Sequence, residues 1–126
     1  MAHDTIADAL NMIKNAKRAR KDTVVVNRIS KLLMEILKIM KEKEAVENYR
    51  VDTKNKSVEI KIGNITECRA IKPRFSADKK QIDKYIRRYL PARGVGTVII
   101  STNKGLITNE EASEKGIGGS MIAYFY

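Results

Sequence analysis

The sequence predicts a small α/β protein of the α+β kind, built as two domains. Three observations carry this. Two stretches in the first half place apolar residues at helical spacing on either side of a β-branched run. An alternating hairpin pattern follows them. The second half is made mostly of short strands and turns, and it ends on the aromatic run Met121-Ile122-Ala123-Tyr124-Phe125-Tyr126. The 126 residues are 43% hydrophobic, enough for a core and too many for global disorder. With no Trp and two Phe, that core must rest on Ile, Val, Leu, Met and Ala.

Residues 4–20 read as a helix, with Asp4 or Thr5 as cap. Ile6, Ala9, Leu10, Ile13 and Ala16 mark one buried face. Thr23–Val26 reads as a strand, and a second helix spans about 28–43 with Ile29, Leu32, Leu33, Ile36, Leu37 and Met40 on its stripe. A hairpin follows. Val46, Tyr49 and Val51 lead to the turn Lys54-Asn55-Lys56, after which Val58, Ile60 and Ile62 alternate with Glu59 and Lys61 over one wet face. Gly63-Asn64 breaks the pattern, so the domains are expected at 1–64 and 65–126.

The N-terminal domain is thus α-β-α-β-β. The C-terminal one is mostly antiparallel β with short helices. It opens with a strand over 67–72 that Pro73 should stop, then a helix over 77–90 capped by Ser76, with Ile82, Tyr85, Ile86 and Tyr89 on one face. Strands at 96–100 and 106–107 flank the polar loop Ser101-Thr102-Asn103-Lys104-Gly105. Thr108 and Glu111 have capping-box spacing for a short helix ending at Gly116. The aromatic terminal run then closes the domain as a paired strand.

Charge points to a polyanionic partner. The net charge is +10, and its distribution is uneven. Residues 1–71 carry 15 Lys+Arg against 10 Asp+Glu, residues 72–93 carry 8 against 2, and residues 94–126 carry 2 against 3. Five cations crowd into Lys14–Lys21, more than a helix end needs to match its dipole. No apolar run is long enough to cross a bilayer, and the N-terminus lacks a signal-peptide pattern, so a cytoplasmic protein is expected.

Catalysis finds little support. His3, the single histidine, has no nucleophile beside it in sequence. Cys68, the single cysteine, excludes a cysteine-built metal site and reads as a small buried residue. Gly116-Ile117-Gly118-Gly119 has neither P-loop nor dinucleotide context, so an enzyme acting on a phosphate-bearing substrate through Lys104 would lack a general base. No cofactor, metal or small-molecule substrate is expected.

A rigid loop of small polar residues suits RNA, whose shallow minor groove displays 2′-hydroxyls and base edges. The candidate RNA-binding residues are Ser101, Thr102, Asn103, Lys104, Gly105, Gly118, Gly119 and Ser120. Lys14, Lys17, Arg18, Lys31, Arg87, Arg88 and Arg93 are candidate phosphate contacts.

Several of these stretches resemble a known family. Ser101–Gly105, then Thr108-Asn109-Glu110-Glu111-Ala112, Gly116-Ile117-Gly118-Gly119 and Ala123-Tyr124 look like the C-terminal signature of the eighth small-subunit ribosomal protein family, the S-eight family. Asp4-Thr5-Ile6-Ala7-Asp8 and Asn15-Ala16 resemble its first helix. Tyr89-Leu90-Pro91-Ala92-Arg93 resembles the archaeal and eukaryotic branch. The likeness spans essentially the whole chain. It implies a primary rRNA-binding protein of the small subunit that holds the central domain of the rRNA mainly through its C-terminal half, beside neighbouring small-subunit proteins. Asn103 stands where the family's Ser-Thr-Ser loop has its second serine, and Ser120 where bacterial members commonly have Glu. A non-ribosomal RNA-binding regulator using the same surface is the alternative reading.

Overall fold

The computed structural model describes residues 5–91 and 95–126. The expected cap Asp4 and the lone His3 lie outside them. The chain falls into two compact units, Met1–Cys68 and Arg69–Tyr126, against an expected division after Asn64. Beyond Asn64, Ile65 is buried and the Cys68 thiol donates to the Leu10 carbonyl at 3.2 Å. That bond ties the stretch to the first helix.

In the first unit, α1 (Thr5–Arg18), β1 (Thr23–Val26), α2 (Lys31–Glu42), β2 (Val46–Asp52) and β3 (Ser57–Ile62) follow the expected order. The three strands form an antiparallel sheet in the order β1-β3-β2, with Val26 opposite Val58 and Val51 opposite Val58 from the other side. Val58, Ile60 and Ile62 are buried while Glu59 and Lys61 are exposed, so the sheet has the wet face that the alternation predicts. Leu10 and Ile13 of α1, Leu33, Ile36, Leu37 and Met40 of α2, and Ile60 of β3 are fully buried. At about 25 cal/mol per Å², each stabilises the fold by about 1.5–3 kcal/mol relative to exposure.

Both helices are shorter than their apolar stripes suggested, because their ends are set by caps. Ser30 begins α2 by accepting from the Leu33 N–H at 3.1 Å. At the end of α1 the Arg20 N–H donates to the Lys17 carbonyl at 3.0 Å and the Lys21 N–H to the Ala16 carbonyl at 2.8 Å. At the end of α2 the Glu44 N–H donates to Lys41 and the Ala45 N–H to Met40. Each pair of bonds is a Schellman closure around a left-handed residue, Arg20 at φ 60° and Glu44 at φ 65°.

The second unit holds all but the first residue of β4 (Cys68–Ala77), then α3 (Lys79–Tyr89), β5 (Thr97–Thr102), β6 (Gly105–Thr108), α4 (Asn109–Lys115) and β7 (Gly119–Phe125). Its sheet runs β4-β7-β5-β6, and the terminal aromatic run is a paired central strand, as expected. Ile71, Ile82, Val98, Ile100, Ile107, Ala112 and Met121 form the core, with Tyr85, Ile86, Tyr89, Tyr124 and Tyr126 half-buried against it. Tyr89 and Tyr124 stack at 5.1 Å.

The structure corrects two expectations. Pro73 does not stop β4, which continues to Ala77. The strand lies at the sheet edge, where a residue without an N–H is tolerated. Ser76 therefore belongs to the strand and caps nothing. Asp78 caps α3 instead, accepting from the Gln81 N–H at 2.9 Å while the Gln81 side chain accepts from the Asp78 N–H at 3.0 Å. This reciprocal closure satisfies two backbone donors at once. At α4 the Thr108 hydroxyl accepts from the Glu111 N–H at 3.2 Å, the Glu111 carboxylate returns to that hydroxyl at 3.5 Å, and Gly116 at φ 65° ends the helix.

Candidate nucleic-acid interface

The polar loop is a tight hairpin. Ile99 pairs with Thr108, Ile100 with Ile107, Ser101 with Leu106 and Thr102 with Gly105, which leaves Asn103 and Lys104 as the two turn residues. Neither has positive φ, so the turn is not one of the primed types that match strand twist; Gly105 at φ 115° absorbs the difference. Ile99 and Ile100 are wholly buried, whereas Ser101 and Thr102 are half-exposed and Asn103 and Lys104 exposed. The strand thus runs straight from core to tip, and the tip is held by the core.

Sheet pairing brings the glycine turn to this hairpin. In the β5–β7 ladder Ser101 lies opposite Ser120, so Leu106, Ser101 and Ser120 form one row across three strands. Beyond it the register shifts, with Ile99 opposite Ala123 and Ile100 opposite Met121. Ile122 is the extra residue of a β-bulge.

Thr102 turns out to be a clasp. Its hydroxyl donates to the Gly105 carbonyl at 2.8 Å and accepts from the Lys104 N–H at 3.2 Å. The proton is committed within the hairpin, leaving one lone pair for a ligand. The glycines also divide. A Cβ on Gly119 would come to 2.4 Å from the Ser101 carbonyl oxygen, and one on Gly118 to 2.3 Å from that of Ala77. These two are small because their own chain crowds them, not to admit a ligand. Gly105 has open space on its Cβ side, and it alone of the three offers bare backbone outward.

The candidate phosphate contacts sort in the same way. Lys14 is corrected: its ammonium lies 3.4 Å from the Glu67 carboxylate with the side chain only 11% exposed, so it faces inward. Its place on α1, next to the buried Ile13, turns it towards the chain. Arg18 reaches the same carboxylate at 3.8 Å but stays 66% exposed, and the Lys17 ammonium donates to the Gly63 carbonyl at 3.2 Å from an exposed position. Lys31, Arg87 and Arg88 are exposed, the last with its guanidinium 5.2 Å from the centre of the Tyr85 ring. Arg93 lies outside the described residues.

One residue of the second unit was passed over by sequence reading. The Asn109 carboxamide accepts from the Val98 N–H at 3.0 Å and pins α4 to β5. Its chemistry gives no local hint of a partner eleven positions away. Cys68 is a buried free thiol whose pKa burial pushes up to about 12, with Glu67 adding to the shift. It is therefore a packed, un-ionised side chain. Among the described residues no group of three or more His, Cys, Asp or Glu could hold a metal, and no helix is long and apolar enough to cross a membrane.

Fold and surface define a two-unit α+β protein whose second unit presents a polar hairpin beside a glycine turn. The chain belongs to the family described as "Ribosomal protein S8", whose model matches residues 4–126. It is 42% identical to the small ribosomal subunit protein uS8 of Nanoarchaeum equitans (strain Kin4-M) and 37% identical to that of Thermoplasma acidophilum, each over the full length of both chains. The archaeal relatives agree with the branch that the 89–93 run resembled.

Proposed function

We propose that this protein is a structural, non-catalytic constituent of the small ribosomal subunit. It binds the central domain of small-subunit rRNA as a primary binder and supports assembly there among neighbouring small-subunit proteins, in the cytoplasm and without a cofactor. The observation that carries this reading is the Ser101–Ser120 row beside the open backbone of Gly105, on a chain with uS8 relatives along its whole length. The row and the Asn103-Lys104 tip offer hydroxyls, a carboxamide, an ammonium and backbone groups from strands already fixed by packing. Little entropy is lost when they meet a groove. Site discrimination belongs to Ser101, Thr102, Asn103, Gly105 and Ser120, while Gly118 and Gly119 let the backbone pack closely against Ala77 and Ser101 and so hold this surface in place. Lys104 and the exposed Lys17, Arg18, Lys31, Arg87 and Arg88 supply phosphate attraction. Arg93 stays a candidate phosphate contact on its sequence alone.

The test is a footprint of the purified protein on full-length small-subunit rRNA. Protection confined to one irregular helix of the central domain supports the reading; diffuse protection, or protection in another domain, overturns it. Sedimentation in a salt-washed lysate addresses the regulator alternative, since a regulator would leave the small-subunit peak.

A further inference from the structure

The β5–β6 hairpin is clasped by a side chain at each end of its ladder. At the tip the Thr102 hydroxyl donates to the Gly105 carbonyl and accepts from the Lys104 N–H. At the base the same part is played by Asn109. The pairs run from Thr102 with Gly105 to Ile99 with Thr108, so the next rung would join Val98 to Asn109. The backbone cannot make that rung. Thr108 caps α4 and Asn109 is the first residue of the helix, so its carbonyl points along the helix axis. The Val98 N–H is left facing no strand, in a residue that is wholly buried. The half-buried Asn109 carboxamide stands in for the missing carbonyl and accepts from that N–H at 3.0 Å. A buried donor left open is costly, so this bond fixes the point at which β6 becomes α4.

We infer that Asn109 is a positioning residue for RNA recognition, acting through the register of the hairpin. The inference rests on the rRNA-binding reading above and deepens it. β6 is an edge strand whose one partner in the sheet is β5. With four pairs and no strand on its other side, β6 keeps its register by what holds the two ends of the ladder. That register decides what stands at the tip. It makes Asn103 and Lys104 the turn, and it sets Gly105 opposite Thr102 with its Cβ side open. It also brings Leu106 into the row of Ser101 and Ser120. A slip of β6 would break the Thr102 clasp and dissolve the row. At about 3.4 Å per residue, Val98 lies roughly 14 Å along β5 from Thr102. Asn109 therefore shapes the tip from the far end of the ladder, without standing in the row itself.

The experiment compares the full-length protein with Asn109→Ala, Asn109→Gln and Asn109→Asp. The probes are full-length small-subunit rRNA and an unrelated RNA duplex, titrated well below the Tm of each variant. Alanine removes the acceptor. Glutamine carries its amide one methylene too far for the Val98 N–H, and it serves as the test if the alanine variant does not fold. Aspartate keeps an acceptor oxygen at the same reach. A hairpin that held its binding register only about a tenth of the time would raise Kd for the rRNA about tenfold. Asn109→Ala and Asn109→Gln should therefore weaken rRNA binding about tenfold relative to the duplex, with an unchanged salt slope because no phosphate contact is lost. Asn109→Asp should restore the ratio, in which the general repulsion of the added charge cancels. Amide exchange in Asn109→Ala should quicken at Lys104 as well as at Val98. Ile36→Val, in the buried core of the first unit, should lower Tm and leave the ratio alone. An unchanged ratio in the alanine and glutamine variants overturns the inference, as does faster exchange at Val98 alone. A loss in Asn109→Asp equal to that in Asn109→Ala also overturns it, since the amide itself would then meet the RNA. So does a lowered ratio in Ile36→Val, which would make the ratio a measure of stability. Failure of the unsubstituted protein to prefer the rRNA would instead bring down the rRNA-binding reading, a separate result.

Discussion

The Thr102 hydroxyl donates to the Gly105 carbonyl at 2.8 Å, across the mouth of a two-residue turn, and accepts from Lys104 within it. One side chain therefore shapes the tip it belongs to, and its effect on a ligand passes through the order of Asn103 and Lys104.

Thr102→Ala should lower stability by about 1 kcal/mol, the net worth of a part-buried hydrogen bond. It should also weaken cognate rRNA binding while leaving binding to an unrelated duplex nearly intact. Thr102→Ser should restore both, because it keeps the hydroxyl. Urea unfolding and paired titrations check this; equal losses on both RNAs would remove the hairpin from the specificity surface.

Gly119→Ala and Gly105→Ala should differ in kind. The first places a methyl 2.4 Å from the Ser101 carbonyl oxygen, so β5 and β7 must part locally, at a cost of about 1–3 kcal/mol. The second meets no neighbour but must hold φ near 115°, a strain on the order of 1–3 kcal/mol. Amide exchange should separate them. Gly119→Ala should loosen the Ser101 and Ser120 region, and Gly105→Ala only the hairpin tip. Matching exchange patterns would contradict the crowding seen at Gly119.

Lys14 and Lys17 should separate stability from salt dependence. Lys14→Gln leaves the Glu67 carboxylate, 19% exposed, with only the longer Arg18 ion pair, and should cost about 1–2 kcal/mol, less than the 3–5 of a fully buried pair. It should leave the salt slope of RNA binding unchanged. Lys17→Gln with Arg18→Gln should do the reverse, lowering the slope by roughly 1 for each phosphate that is no longer neutralised. A slope change in Lys14→Gln would show that its ammonium reaches outward.

Cys68 gives a pH signature. Its folded pKa of about 12 lies above the ordinary 9.0. Below pH 9 the thiol is neutral in both states and contributes no pH dependence. As pH rises past 9 the unfolded chain releases the proton first, so stability falls, by at most about 1.4 kcal/mol per pH unit until the folded pKa is reached. Chemical denaturation between pH 8 and 10, compared with Cys68→Ala, should show a decline in the native protein that the variant lacks. Parallel curves would mean that the thiol is solvated.

Much of the fold was legible because the decisive interactions are local. Leu33, Ile36, Leu37 and Met40 recur at the helical period, and the alternation of Val58, Ile60 and Ile62 fixes the buried face of β3, whatever the rest of the chain does. Gly116 ends α4 because only glycine takes that backbone without strain. The polar hairpin was visible as hydroxyl, amide and glycine between two apolar runs.

Other features depended on residues distant in sequence. Pro73 reads as a strand stop until β4 proves to be an edge strand, where a residue without an N–H is tolerated. Ser76 reads as the cap of α3, and the continuation of β4 to Ala77 gives the role to Asp78. Lys14 reads as one cation among five until Glu67, more than fifty positions away, takes it inward. Gly118 and Gly119 read as openings for a ligand, whereas the β4-β7-β5 order packs them against Ala77 and Ser101. By itself, then, the sequence determined periodicity, net charge and the chemical kinds present at the hairpin, since each is a property of neighbouring residues. Strand order and register decided which of those groups face outward. Hydrogen bonds and van der Waals contacts act over a few ångströms, and only tertiary pairing brings their partners within that reach.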